Sequence, residues 1–113
     1  MKVLKVSPCK TPVVIEIDGE LETLQKEVGG YIEVVYPFDE SVVIICNKEG
    51  KLLGLPFNRA LYCNGIIEDI LCGDFLIAEE DENGDFASMS EENIKIFTEM
   101  FGSNSYIELV ELF

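Results

Sequence analysis

Histidine and tryptophan do not occur in this 113-residue sequence, and arginine occurs once, as Arg59. Without histidine, Ser-His-Asp and Cys-His nucleophilic catalysis cannot be built in their usual form, and the common zinc sites lose a principal ligand. Basic residues are scarce, eight Lys and Arg against 22 Asp and Glu, for a net charge of −14. Direct nucleic-acid binding needs clustered cations to neutralise phosphates, so that class is set aside. No apolar run is longer than Val42–Cys46, whereas a membrane-spanning helix needs about 20 apolar residues. The opening Met1-Lys2-Val3-Leu4-Lys5-Val6-Ser7-Pro8 alternates polar and apolar side chains. It lacks the apolar stretch of a secretory signal and reads as a first strand, so the expected location is the cytoplasm.

Glycine-rich phosphate loops are missing as well. Gly29-Gly30 lies between a helix and a strand and reads as a helix stop. Cys9, Cys46, Cys63 and Cys72 include no C-x-x-C spacing; reduced, mostly buried thiols are the expectation. No metal or cofactor is expected. The acids suggest no catalytic pair either: Asp69 and Asp74 are one combination among the many that 22 carboxylates supply, and nothing indicates a cleft between them.

What is present is apolar content for one core. Nearly half of the residues are hydrophobic, enough for a single modest domain over residues 1–113. Charge is uneven: residues 1–56 carry nine acids and six lysines, residues 57–113 thirteen acids against Arg59 and Lys95. An acidic face of this kind either solubilises the protein or imitates a phosphate backbone.

The pattern predicts an α+β fold, mainly an antiparallel sheet with two helices packed on it. Lys2–Ser7 and Pro12–Ile17 alternate and suggest a hairpin across a Pro8–Pro12 turn. Asp18 is placed to cap a helix to about Val28, with Leu21, Leu24 and Val28 on one face. Tyr31–Tyr36 and Ser41–Asn47 read as strands, the second continuous and central. Lys51–Leu55 is expected to pair back as a hairpin, with a bulge at Gly54, and Pro56–Asn64 to hold a short helical turn. Phe75–Ala78 reads as a strand, followed by the acidic loop Glu79–Asp85. That loop approximates a calcium loop but offers Ser90 where a bidentate glutamate is required, so an Asn83-Gly84 turn is the better reading. Ser88 and Glu91 suggest a capping box for a helix to about Phe101, burying Ile94, Phe97 and Phe101. Tyr106–Val110 reads as an edge strand or short helix.

The most pointed segment is Leu53-Gly54-Leu55-Pro56-Phe57-Asn58-Arg59-Ala60-Leu61. A guanidinium fork recognises phosphate or carboxylate bidentately, and an asparagine reads polar edges. The same residues equally describe an internal ion pair, with Arg59 holding an acid and Asn58 capping the turn.

Gly29-Gly30-Tyr31-Ile32-Glu33-Val34-Val35-Tyr36-Pro37, the Ile45-Cys46-Asn47 to Gly50-Lys51-Leu52 segment and Leu55-Pro56-Phe57-Asn58-Arg59-Ala60 together resemble domain-of-unknown-function family 3846. The opening strand and Asp74-Phe75 fit too, so the resemblance runs to about Phe101. It implies a setting, phages and mobile elements, more than a mechanism.

In that setting a small non-enzymatic protein serves to block host defences. The first expectation is a sponge that sequesters a small nucleotide-like immune signal. Asn58 and Arg59 would grip phosphate or ribose; Tyr31, Tyr36 or Phe57 would stack on a base; and a second subunit, making a homo-oligomer, would close the pocket. The alternative is an acidic DNA mimic that binds a host nuclease, restriction or CRISPR component through the C-terminal half. A plainer expectation is a regulatory module that binds a protein through an exposed sheet edge.

Overall fold

A computed structural model describes residues 1–38, 41–102 and 109–112. Its described elements are nine strands and two helices, in the order β1 (Lys2–Val6), β2 (Val13–Glu16), α1 (Leu21–Val28), β3 (Ile32–Val35), β4 (Val42–Asn47), β5 (Phe57–Cys63), β6 (Ile66–Cys72), β7 (Phe75–Glu80), β8 (Phe86–Ala87), α2 (Glu91–Met100) and β9 (Leu109–Glu111). The fold is α+β and mainly antiparallel. The main sheet runs β2-β1-β7-β4-β3, with β8 added to β7; a smaller sheet runs β6-β5-β9. Among the described residues only the β5–β9 pairing is parallel.

Period-two patterning explains how the central strands serve two cores. In β4, Val42, Ile44 and Cys46 point to one side while Val43 and Ile45 point to the other. In β7, Phe75 and Ile77 likewise oppose Leu76 and Ala78. Leu24 and Val28 of α1 cover one face with Val3. The smaller sheet and α2 cover the other, bringing Leu61, Leu71, Phe97, Phe101 and Val110 onto Leu4 and Val6. Phe38 stands edge-on to Phe97 at 4.9 Å between ring centroids, and Phe75 edge-on to Phe101 at 5.9 Å. Each such ring, fully buried, contributes roughly 1.5–3 kcal/mol. Burial also pushes the Cys46 thiol up to about 12, with Glu33 and Asp69 adding to the effect, so it packs as a protonated small hydrophobe.

Several local expectations are corrected. The helix after β2 begins at Leu21 with Glu20 as its N-cap; the Asp18 carboxylate accepts from the Glu20 N–H at 2.9 Å instead of capping the helix itself. Leu21 is exposed, because the covered stripe starts one turn later at Leu24. Lys51–Leu55 forms no strand. Leu53 N–H donates to Glu49 O, and Gly54 takes a left-handed φ of 70° that a turn requires. Gly50 has no room for a β-carbon, which would sit 2.7 Å from the Cys72 carbonyl oxygen.

The segment expected as a helical turn, 56–64, is instead β5, whose hairpin partner is β6 across Asn64-Gly65, both at positive φ. β6 was not anticipated: Ile-Ile-Glu-Asp-Ile follows no clean alternation, and the pairing with β5 is itself interrupted by two register shifts. The N-cap of α2 is Ser90, whose Oγ accepts from Asn93 N–H at 3.1 Å, while the Ser88 hydroxyl accepts from Lys2 N–H. Phe97 and Phe101 are buried as expected, Ile94 only partly. Of the thiols, Cys46 is buried, Cys63 and Cys72 are half-buried, and Cys9 is exposed. The expectation for Tyr106–Val110 falls largely outside the described residues; β9 occupies Leu109–Glu111. Among the described residues no helix is long and apolar enough to cross a membrane.

Candidate functional site

The Pro56–Leu61 segment runs as strand β5 into the interior, and this decides the fate of its polar pair. Asn58 and Arg59 are both completely buried. Asn58 Nδ2 donates to Val6 O at 2.9 Å and Gly73 O at 2.8 Å, and its Oδ1 accepts from an Arg59 terminal nitrogen at 2.7 Å. The second terminal nitrogen of Arg59 donates to Lys10 O at 2.7 Å and to Phe101 O at 2.8 Å, and Nε also donates to Phe101 O. Phe101 is the C-cap of α2, so the guanidinium meets the negative end of that helix's dipole. The pair thereby ties together the end of β1, the β1–β2 turn, the β6–β7 turn and the end of α2. A buried charge is tolerated only when its donors are used in this way.

The ligand grip expected of Asn58 and Arg59 is therefore corrected: in this geometry their polar atoms face backbone carbonyls in the interior, where a nucleotide does not reach. Nor do the three aromatics expected beside them form one pocket. Tyr31 is exposed where the chain enters β3, and Tyr36 is exposed just past that strand's other end. Phe57 is exposed on β5, in the other sheet.

What the fold does bring together is charge. Register places Lys2 beside Glu16, Val42 beside Glu79, and Glu79 beside Ala87, so these strand ends share one end of the main sheet. The turn into α1 and the start of α2 lie there too, the latter through Ser90 N–H donating to Glu79 Oε2 at 2.6 Å. That end collects Glu16, Asp18, Glu20 and Glu22 with Glu79, Glu80, Asp81, Glu82, Asp85, Glu91 and Glu92, eleven of the 22 acids. Lys5, Lys10, Lys26, Lys48 and Lys51, five of seven lysines, are carried to the opposite end by the same topology, together with Glu27, Glu49 and Asp74, of which Glu27 and Asp74 meet Lys5 at 3.0 and 3.7 Å. We refer to these as the acidic and lysine poles.

Within the acidic pole the carboxylates are partly organised by backbone. Asp81 Oδ1 accepts from the N–H groups of Asn83 and Asp85, closing the turn between β7 and β8. The Asp18 carboxyl is held below its ordinary range by the Glu20 N–H it accepts and then by the Thr23 hydroxyl. Glu80 Oε2 accepts from the Tyr36 hydroxyl at 3.0 Å, and this bond is the main cause pushing the phenol above its ordinary value. Sequence reasoning located the 79–85 run but not its union with residues 16–22; the available signal was the acids that flank both a strand end and a helix start. A cleft of about 680 Å³ runs along α1 from Leu21, at the helix start, to the lysine pole, lined also by Gln25, Tyr31, Ile32, Lys48 and Glu49. No group of three or more metal-ligating side chains occurs among the described residues.

Replacing Arg59 with Met is expected to lower unfolding stability by about 3–5 kcal/mol, since it strands the Phe101 and Lys10 carbonyls and the Asn58 side chain. Arg59→Lys is expected to recover little, because an ammonium cannot span the same acceptors. Urea unfolding followed by circular dichroism measures both; a surface-like loss below about 0.5 kcal/mol would contradict the clamp. Separately, Glu80→Ala removes the acceptor that keeps Tyr36 protonated. Its phenol should then ionise at lower pH, nearer the ordinary 10.0; ultraviolet titration of tyrosinate reads the shift, and an unmoved titration would refute the bond.

The model of a family described as a domain of unknown function (DUF3846) matches residues 1–102. No curated protein and no solved structure matches the chain.

Proposed function

The chain belongs to domain-of-unknown-function family 3846, and from the arrangement of its charges we propose that it is a non-enzymatic binding protein whose acidic pole occupies a cationic surface of a partner protein, as a DNA mimic does. The observation that carries this reading is the segregation of eleven acids to one end of the main sheet. Gathering like charges costs self-repulsion, and a surface serving solubility alone does better with both signs interspersed. A concentrated negative pole instead raises association rates with a basic surface and competes with phosphates for it. In the phage-type setting that the family resemblance implies, the partner class is a host nuclease, restriction or CRISPR component, and the role is counter-defence.

Capture of a small nucleotide-like signal stands as the second reading, on a different footing from the one expected. Asn58 and Arg59 support the fold, so the support comes from the lysine-pole cleft, where Tyr31 offers a stacking face and Lys48 a cation beside Gln25. The acidic pole opposes approach of an anion, which ranks this reading below the first.

The triple variant Glu79→Lys, Glu82→Lys, Glu91→Lys separates the two readings. Wild-type protein is expected to displace duplex DNA from a panel of purified restriction and CRISPR nucleases, less effectively as salt rises from about 0.05 to 0.2 M, and the variant is expected not to. Displacement by the variant equal to wild type sinks the mimic. Calorimetric titration with cyclic and ADP-ribose-type nucleotides tests the second reading. Tight binding lost in Tyr31→Ala and Lys48→Ala would establish it, and binding that survives both would refute that site.

A further inference from the structure

Two strand edges face each other across one side of the molecule. Among the described residues β3 is paired only with β4, and β6 only with β5. A cleft of about 340 Å³ lies between Val35, Tyr36 and Pro37 on one side and Cys63, Glu68 and Asp69 on the other. A second, of about 220 Å³, lies between Glu33 and Cys46 on one side and Asp69 and Ile70 on the other. Asp69 lines both, so the two join into a groove flanked by both edges.

The β6 edge is only partly protected. It carries Glu68 and Asp69 and a bulge at Glu68, but no proline and no lysine, and Ile66, Ile67 and Ile70 are 66%, 50% and 39% exposed. Three exposed isoleucines on one short unpaired edge are what a pairing strand covers.

The first cleft indicates the sign of its occupant: Glu68 is exposed, and Asp69 is met by Lys51 Nζ only at 3.5 Å. The second is mixed, with Glu33, Glu49 and Asp69 beside Lys48 and Lys51. Beside Glu68, the walls formed by Val35, Leu61 and Leu112 are apolar, and Tyr36 belongs to the same lining. A long aliphatic stem ending in a cation suits this combination: methylenes on the apolar wall, the charged head at Glu68, the aromatic face nearby. A second copy of the chain suits it poorly. Antiparallel pairing of two β6 edges about Glu68 sets the two Glu68 carboxylates opposite each other, between chains of net charge −14.

We propose that the β3–β6 groove binds an extended, basic segment of a partner protein, which adds to the β6 edge as a strand and places a lysine or arginine at Glu68. The proposal rests on the preceding reading only in making the partner basic, since Tyr36, hydrogen-bonded to Glu80, joins the groove to the acidic pole.

The probe is a fluorescein-labelled, acetylated (Lys-Val)4 peptide, compared with (Glu-Val)4 and with a (Lys-Val)4 peptide N-methylated at alternate residues. Anisotropy should show saturable binding of the first to the full chain and none of the second. The N-methylated form should bind at least about tenfold more weakly, having lost two or more backbone hydrogen bonds. Glu68→Lys should weaken binding roughly fivefold or more, while Glu99→Lys, which makes the same change in net charge on α2, should not. Equal binding of the N-methylated peptide, equal loss in both variants, or no binding at all would overturn the proposal. A concentration-dependent dimer in sedimentation that Ile67→Asp abolishes would overturn it in favour of a second copy. Peptide binding retained where the pole variants still displace DNA sinks the mimic reading alone; DNA displacement without peptide binding sinks the groove alone.

Discussion

A guanidinium with no exposed surface sits where α2 ends, and most of the architecture converges on it. Arg59 bonds to the carbonyls of Phe101 and Lys10, and through Asn58 it reaches Val6 and Gly73. These contacts join both sheets and α2 at one point, so the smaller sheet cannot shift on the larger without leaving donors unpaired in a low-dielectric interior. Dispersion and apolar burial hold the layers together without direction; the hydrogen-bonded pair supplies the direction. It also gives Asn58 and Arg59, in the most distinctive motif of the chain, a structural role.

With that motif assigned to structure, function has to reside on surfaces, and two surfaces depart from the ordinary. The antiparallel topology of the main sheet gathers eleven acids at one end and five lysines at the other, where Glu27 and Asp74 meet Lys5. The resulting field is long-ranged, which suits encounter and competition more than tight enclosure of a small molecule. The second surface is the side bounded by β3 and β6, where unpaired backbone, exposed isoleucines and carboxylates coincide. In the proposed reading, charge gives the encounter and an edge gives the register of a protein partner.

Much of the fold was legible from local rules. Alternation in Lys2–Ser7, the continuous apolar run of β4 and the Gly29 stop each reflect forces acting within a few residues, and each corresponds to an observed element. The failures are physical as well. Pro56–Asn64 looked helical because Asn and Arg beside apolar residues resemble a capped turn, yet tertiary contacts reward an extended chain that carries both into the core. Ile66–Cys72 went unread because an exposed edge with register shifts has no clean period. Tyr31, Tyr36 and Phe57 were grouped by type, and the fold spreads them over two ends and two sheets.

By itself the sequence determined the class: an α+β fold, no histidine, and an excess of acid over base. Those properties depend on composition and on periodicity within single elements, which neighbouring residues fix. Tertiary structure alone decided what Arg59 does, that residues 16–22 and 79–92 share a pole, and that β3 and β6 flank one groove. Each depends on which strands pair and in what register. A pairing one residue out of step would exchange the faces on which Asn58 and Arg59 lie and part them from the carbonyls they bond, because successive side chains of a strand face opposite ways.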